Sequence, residues 1–242
     1  MFLNRFRRLK GLGRYACLGT AVLETLGRNY KMHNMQKGRI DYQLQVLQNS
    51  SRACKPDSVI QHLAREYIAP TIEQQARLCP DFTPELIFVD SFAELTDQIF
   101  RHKTKDWQFC SNWSDVTHSD EFNNDFECLG LLGLDGLQEV YKKLLLTISL
   151  RWPGISIIYL HFPDVLEARE NFVMRAREIR SAVEACALQY PNLYSLSVPP
   201  EIVKPPNLVE PGLENFPYHY SQTTYQAFAD MILQHPVLRR YF

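Results

Sequence analysis

The chain has 242 residues, of which 45% are hydrophobic and 22% are charged, and its formal net charge is -1. This composition is typical of a globular protein with a sizeable core, and it excludes a long disordered or fibrous chain. The near-zero net charge gives no reason to expect a nucleic-acid partner. No run of about 18 apolar residues is present, so no membrane-spanning segment is predicted.

The predicted elements alternate between short apolar strands and amphipathic helices. Strands are predicted over 14–18, 29–35, 86–90, 155–160 and 193–198. Helices are predicted over 20–27, 58–69, 71–78, 92–101, 136–150, 166–190 and 223–234. Two long loops are predicted, over 102–126 and over 198–218, the second with six prolines. Strands separated by helices imply crossover connections. The predicted fold is therefore a three-layer α/β/α sandwich with a mainly parallel central sheet in flavodoxin-like order.

The first 13 residues are predicted to form a basic arm ahead of a single domain over 14–242. Basic residues alternate there with Phe2, Leu3, Phe6 and Leu9. Two interpretations stay open, a solvated arm or peripheral contact of residues 1–14 with an anionic membrane surface. The segment lacks the apolar centre and cleavage site of a signal peptide.

The six cysteines are widely scattered, and no two of them have Cys-x-x-Cys spacing. This spacing argues against a zinc ribbon or a redox pair, and no metal site is predicted. No Gly-rich phosphate-binding motif is present either, so no nucleotide cofactor is expected. Free thiols favour a cytoplasmic protein, with membrane association through the arm as the alternative.

A hydroxyl and an imidazole are the main candidates for chemistry. Thr20 follows Gly19 at the first predicted strand-to-helix turn, and His219 precedes the last predicted helix. Backbone N–H groups at a helix start can hold an oxyanion, and a hydroxyl nucleophile needs a base such as histidine. Thr20 as a helix N-cap is the alternative interpretation. Glu210 and Glu214 are the nearby acids, but neither stands three residues before His219.

Other polar residues are predicted to gather at the carboxyl edge of the sheet, where open α/β sheets bind ligands. The candidate substrate-binding positions are Gly19, Gly38, Arg39, Asp90, Ser91, Asn112, His161 and Tyr220. Capping of the next helix is the alternative for Asp90 and Ser91, and a backbone hydrogen bond is the alternative for His161. An Asp-x-x-His string at Asp115 is interpreted as coincidence.

Three short segments resemble the SGNH (GDSL-type) hydrolase superfamily, and more narrowly the bacterial SGNH-like proteins found near surface-polysaccharide genes. They are Ala16–Ala21, Pro84–Phe92 and Phe216–Tyr225. The resemblance implies Thr20 as nucleophile, His219 as base, and the Gly19 and Thr20 N–H groups as oxyanion donors. Threonine stands where the family has serine, Phe216 stands where it has aspartate, and no asparagine follows Asp90 in the third block.

Three functions follow from these observations. The first is an esterase or acyltransferase acting on a carbohydrate or polysaccharide precursor, with acetyl-coenzyme A as the implied donor in the transferase case and no other cofactor. The second is a catalytically degenerate domain that binds a carbohydrate or an acylated molecule in cell-envelope polysaccharide assembly. The third is another sugar transferase, in which Trp107 and Trp113 form walls of a sugar site. Fold alone does not decide among them.

Overall fold

The computed structural model describes residues 8–27, 29–49, 56–75, 82–207 and 217–242. Its strands are β1 Leu9–Arg14, β2 Tyr30–Asn34, β3 Leu86–Asp90, β4 Asp97–His102, β5 Gln108–Asn112, β6 Phe126–Leu131, β7 Ser156–Leu160 and β8 Leu193–Leu196. Its α-helices are α1 Cys17–Leu26, α2 Ile40–Gln48, α3 Ile68–Gln75, α4 Phe92–Thr96, α5 Asp120–Asp125, α6 Leu137–Arg151, α7 Glu170–Ala187 and α8 Gln222–Gln234.

The central sheet has five parallel strands in the order β2-β1-β3-β7-β8. Counted along the chain, these strands are in the order 2-1-3-4-5, which is the flavodoxin-like arrangement. The predicted α/β fold with a mainly parallel sheet is therefore confirmed. Strand order reverses between β1 and β3, so the carboxyl ends of these two strands flank the place where such sheets bind ligands.

Helices cover both faces of this sheet. α1 packs against α8 in one layer, and α6 packs against α2 and α7 in the other. This division follows from the right-handed crossovers that connect parallel strands. The core between the layers is formed by apolar side chains of the strands, including the fully buried Phe88 and Ile158. In the part of the chain that the structure describes, no helix combines the length and apolarity needed to cross a membrane.

A second, antiparallel sheet of three strands, in the order β5-β4-β6, lies between β3 and β7 in the chain. It has its own apolar cluster, in which Phe100 and Phe109 stack at 5.1 Å and pack with Phe126. The predictions of one helix over 92–101 and a loop over 102–126 were wrong here. The helix α4 ends at Thr96, and alternation of buried and exposed side chains extends the chain as β4.

The first strand begins five residues earlier than predicted. β1 covers Leu9–Arg14 and is almost entirely buried, so residues 9–13 belong to the sheet and not to an arm. Met32 of the neighbouring strand packs closely over Gly11 of β1, since a Cβ at Gly11 would lie 2.1 Å from the sulfur of Met32. Arg8 donates a hydrogen bond to the Tyr30 carbonyl, and residues 1–7 lie outside the described residues.

Residues 56–75 support the small sheet. The predicted helix over 58–69 is wrong, because two short 3-10 turns, Pro56–Ser58 and Ile60–His62, occupy its first part. The helix α3 then begins at Ile68 and contains Pro70 in its first turn, where the missing N–H of proline is tolerated. Side chains of this segment, Val59, Ile68 and Ile72, complete the apolar cluster of the small sheet.

Candidate active site

The turn after β1 places a thiol at the first position of α1. β1 ends at Arg14, two residues follow, and Cys17 is the first residue of the helix, with Ala16 as its N-cap. The Cys17 side chain is half-buried, and Sγ donates a hydrogen bond to the carbonyl oxygen of Tyr218 at 3.2 Å. That carbonyl belongs to the peptide group that continues into His219. The two ends of the chain therefore meet at Cys17.

Asp90, at the carboxyl end of β3, fixes this turn by accepting backbone hydrogen bonds. Its Oδ2 accepts hydrogen bonds from the N–H groups of Ala16 at 2.6 Å and Gly19 at 3.1 Å. Its Oδ1 accepts from the N–H of Phe92 at 3.2 Å. Burial raises the pKa of Asp90 to about 7, although these three hydrogen bonds act in the opposite direction. The carboxyl group thus joins β3 to the start of α1.

Gly19 is placed by close packing as well as by this hydrogen bond. A Cβ at Gly19 would lie 2.3 Å from the Cβ of Tyr15, so the turn has no room for a side chain there. The sequence predicted that the N–H groups of Gly19 and Thr20 serve as oxyanion donors. The structure uses both internally, since Gly19 donates to Asp90 and Thr20 donates to the Ala16 carbonyl.

Thr20 lies one helical turn beyond the position expected of a nucleophile. Its side chain is exposed, and its hydroxyl donates to the Ala16 carbonyl at 2.9 Å, within the first turn of its own helix. The geometry does not favour Thr20 as the nucleophile. The difference arises from the position of β1: because the strand ends earlier than predicted, the first helical residue is Cys17.

The segment before α8 alternates between buried and half-buried side chains. Tyr218 and Tyr220 are buried, and His219 between them is half-buried. The Tyr218 hydroxyl donates to Glu167 at 2.9 Å, and the Tyr220 hydroxyl donates to the Pro163 carbonyl at 3.1 Å. Tyr220, a predicted substrate-binding residue, is therefore an anchor of this segment. Together the two tyrosines fix the backbone on either side of His219.

The Cys17 thiol is protonated in this environment. Burial raises the pKa of Cys17 to about 12, and the negative charge of Asp90 acts in the same direction. The N–H groups of Cys17 and Leu18 oppose this shift because they favour the thiolate form of the sulfur. A base is therefore needed to activate this sulfur at neutral pH.

His161 and Ser91 also end strands but do not face the thiol. His161 is buried, its Nε2 lies 2.9 Å from the Ser195 hydroxyl, and its ring packs on Tyr159 at 4.8 Å. Burial, with the positive charge of Arg180 on α7, lowers the pKa of His161 to about 3. The Ser91 hydroxyl accepts from the Phe162 N–H at 3.0 Å. Both side chains hold neighbouring strand ends together.

Gly38 and Arg39 lie at the junction between the two sheets. The Gly38 carbonyl accepts from buried Arg14 at 3.1 Å. The Arg39 guanidinium forms two hydrogen bonds with Asp41, at 3.0 and 2.7 Å, and donates to the Gly130 carbonyl at 2.6 Å. Because its donors are used within the protein, Arg39 is not placed to bind an anion.

An ion-pair cluster beside Arg39 connects the sheets. Lys37 contacts Asp115 at 2.8 Å and Asp97 at 3.6 Å, and all three side chains are almost completely buried. Asp115 also accepts from the Asn112 N–H in a capping box. The Asp-x-x-His string at Asp115 is thus part of this structural cluster. Asn112, a predicted substrate-binding residue, lies nearby at the edge of a cleft.

This cleft, which we call the inter-sheet cleft, lies between the small sheet and the starts of α7 and α8. It has a volume of about 250 Å³ and is lined by Thr96, Gln98, Asn112, Trp113, Leu131, Arg169, Phe172, Pro217 and Tyr218. Tyr218 belongs both to the cleft and to the contact with Cys17. Within the described ranges, no group of three or more His, Cys, Asp or Glu side chains is arranged to hold a metal ion.

Comparisons with known proteins give similarities of fold at low identity. No family model matches the chain, and no curated protein matches it significantly. A salicylyl-acyltransferase, SsfX3, from a tetracycline biosynthetic pathway is 13% identical with a TM-score of 0.40, over 93% of this chain and 52% of that structure. An acetyl xylan esterase, Est2A, from the rumen bacterium Butyrivibrio proteoclasticus is 11% identical with a TM-score of 0.39, over 94% of this chain and 62% of that structure. The chain spans about half to three fifths of their lengths.

Sequence reasoning missed Cys17 because it placed this residue inside a buried strand. The sequence marks the end of this helix at Gly27, but no local signal marks its start at Cys17. The predicted partner, His219, lies in the segment that contacts the thiol. Of the other predicted residues, Gly19 and Asp90 shape the turn, and Asn112 lines the inter-sheet cleft.

Proposed function

We propose that the chain is an acyl-transfer enzyme, an esterase or acyltransferase, with Cys17 as nucleophile and His219 as general base. The observation that carries the proposal is the 3.2 Å hydrogen bond from Cys17 Sγ to the peptide group between Tyr218 and His219. It brings the Cys17 thiol into contact with the backbone that carries His219, more than 200 positions further along the chain, at the carboxyl edge of the sheet. Cysteine beside histidine is a recurring nucleophile–base pair.

The high pKa of Cys17 determines the type of mechanism. A thiol that is neutral at pH 7 does not attack as a preformed thiolate, so His219 accepts the Sγ proton as sulfur attacks the ester carbonyl carbon. The carbonyl oxygen becomes an oxyanion. The N–H groups of Cys17 and Leu18, at the start of α1, are the donors that remain for it, since those of Gly19 and Thr20 are used internally.

Collapse of this intermediate breaks the bond between the carbonyl carbon and the leaving alcohol, and His219 returns the proton to the leaving oxygen. The acyl group then forms a thioester with Cys17. Water attacks the thioester in an esterase, and a second alcohol attacks it in a transferase, with His219 again taking the proton. In the transferase case the donor is an acyl ester or thioester such as acetyl-coenzyme A, and the acceptor is a carbohydrate precursor.

A non-catalytic binding domain is the second candidate, and Asp90 favours it. The Asp90 carboxyl group occupies two of the first N–H groups of the helix, those of Ala16 and Gly19, and its charge disfavours the thiolate. In this alternative the same edge of the sheet binds an acylated ligand without turnover. The two candidates differ in whether Cys17 is ever acylated.

The test is hydrolysis of a p-nitrophenyl ester series from acetate to butyrate, with trapping of the acyl-enzyme. Cys17→Ala and His219→Gln are expected to lower kcat/KM at least 100-fold, because general-base catalysis contributes about 10²–10⁴-fold. Thr20→Val and Cys128→Ala are the controls, the latter an exposed thiol, and both should retain activity within about twofold.

Mass spectrometry after rapid acid quench should find the acyl group on the peptide that contains Cys17. Turnover that survives Cys17→Ala, or an acyl group on Thr20, would overturn the assignment of the nucleophile. Absence of turnover and of acyl-enzyme with every ester, including acetyl-coenzyme A and an acetylated methyl glycoside, would favour the binding domain.

A further inference from the structure

The inter-sheet cleft has the size of a site for a single ring. Its volume of about 250 Å³ lies below the range of roughly 300–1,000 Å³ that is typical of clefts for drug-sized ligands. One wall is formed by the small sheet, with Gln98, Asn112 and Trp113. The other is formed by Arg169 and Phe172 at the start of α7 and by Tyr218.

Trp113 lines this cleft with a largely exposed ring. The ring stacks on His118 at a centroid distance of 3.7 Å, and 49% of the residue is nevertheless exposed. The other two tryptophans, Trp107 and Trp152, are buried. A tryptophan that is held by stacking and still leaves half of its surface exposed is unusual for a residue whose role is packing alone.

Two amide groups beside Trp113 have donors without a partner among the described residues. The Asn112 Oδ1 accepts from the Ser114 N–H and hydroxyl, at 3.0 and 3.1 Å, which leaves its NH₂ group directed elsewhere. The Gln98 Oε1 accepts from Cys128 Sγ at 2.7 Å. Across the residues that the structure describes, neither amide nitrogen contacts an acceptor, so both are available to hydroxyl groups of a ligand.

The charge of the cleft is balanced. Arg169 is the one charged residue among those described that line it, and its guanidinium forms two hydrogen bonds with Glu167, at 2.7 and 2.6 Å. The same Glu167 accepts from Tyr218. An anionic ligand would have to compete with this carboxylate, so the cleft favours an uncharged ligand.

We propose that the inter-sheet cleft binds one ring of an uncharged carbohydrate, which stacks on Trp113 and accepts hydrogen bonds from the amides of Gln98 and Asn112. This inference rests on the proposed function, for which it names the alcohol part of the substrate. Tyr218 connects the two places, since it lines the cleft and its carbonyl accepts from Cys17. We therefore expect the acyl group on a ring hydroxyl that faces Tyr218.

The test measures binding without turnover, in the Cys17→Ala variant. Methyl glucoside, methyl galactoside and methyl N-acetylglucosaminide are titrated, with methyl glucuronide as the charged comparison, and the three indole N–H resonances are followed by NMR. The Trp113 resonance, assigned by its loss in Trp113→Phe, should shift with at least one neutral glycoside at a Kd of about 1 mM. The glucuronide should bind no more tightly.

Variants of the cleft separate stacking from folding. Trp113→Ala should weaken glycoside binding about tenfold, whereas Trp113→Phe, which keeps an aromatic ring, should retain most of the affinity. Gln98→Met should weaken glycoside binding about threefold to tenfold. Unchanged binding in Trp113→Ala, tighter binding of the glucuronide, or no shift with any neutral glycoside would overturn the inference. If glycoside binding depends on Trp113 but no acyl-enzyme forms, the inference about the cleft holds and the proposed catalysis is wrong.

Discussion

The reactivity of Cys17 gives a direct test of the environment at the start of α1. With a pKa of about 12, about one Cys17 in 10⁴ is a thiolate at pH 8, whereas about one quarter of an ordinary cysteine with a pKa of about 8.5 is ionised. A more basic thiolate is also more nucleophilic, and a pKa higher by about 3.5 units increases the rate constant of the thiolate roughly 40-fold. The expected alkylation rate is therefore about 60-fold below that of a free cysteine, before any shielding.

The assay is alkylation by iodoacetamide between pH 7 and 10, with the labelled peptides quantified by mass spectrometry. The Cys17 rate should rise about tenfold per pH unit over the whole range, because every pH in it lies well below the pKa of the thiol. Exposed Cys128 serves as the internal reference for reagent access. A Cys17 rate that levels off below pH 9, or equals that of Cys128 at pH 8, would refute the reasoning.

The same assay tests the contribution of Asp90. Asp90→Asn removes a negative charge that raises the pKa of Cys17, so alkylation of Cys17 at pH 8 should become faster while that of Cys128 stays the same. Circular dichroism controls for loss of structure, because asparagine has one acceptor oxygen, whereas the two oxygens of the Asp90 carboxylate accept from three backbone N–H groups. An unchanged Cys17 rate in a folded Asp90→Asn protein would show that burial alone suppresses the thiolate.

Two further predictions concern stability. Gly19→Ala should lower the free energy of unfolding by about 1–3 kcal/mol in urea, because the new Cβ overlaps Tyr15, while Gly133→Ala, where the space is open, should change it little. His161 is neutral when folded and its pKa is lowered to about 3, so the unfolded chain alone takes up its proton between pH 6.5 and 3, and stability falls as the pH falls. That loss is about 2 kcal/mol at pH 5 relative to pH 7.5, and it should disappear in His161→Gln; an equal loss in both proteins would show that His161 is not the group responsible.

The fold was predictable where the Pro and Gly residues that bound an element agreed with the periodicity of its apolar residues. The strands β3 and β7 are apolar runs that follow Pro84 and Gly154, and the structure has them within one residue of the prediction. The helix α6 shows clear helical spacing and was predicted equally well. In these segments, local pattern and burial in the central sheet require the same conformation.

The small sheet was not predictable because its strands are not apolar runs. β5 reads Gln-Phe-Cys-Ser-Asn, and its polar groups bond to partners distant in sequence: the Cys110 backbone to the Gln75 amide, and the Gln108 side chain to Gln45. Tertiary contacts decide the conformation of such a segment, and one sequence does not reveal them.

The candidate site was predictable in its location but not in its nucleophile. Crossover topology brings the first turn and the segment before the last helix to one edge of the sheet, and the structure has Cys17 and Tyr218 in contact there. The choice between Cys17 and Thr20 depended on where β1 ends. The extent of β1 follows from its pairing with β2 and β3, which is a contact between strands and not a local pattern.

The strands of the small sheet lie between β3 and β7 in the chain, and β3 and β7 are neighbours in the central sheet. A segment inserted at this point leaves the order of the parallel strands unchanged, but buried ion pairs from Lys37 to Asp97 and Asp115 and the apolar side chains of residues 56–75 hold it in place. The wall that carries Trp113 is therefore encoded apart from the strand end that leads to Cys17. Changing the Trp113 loop within an insert that keeps these contacts would offer a way to redirect ligand preference while the reactive edge stays as it is.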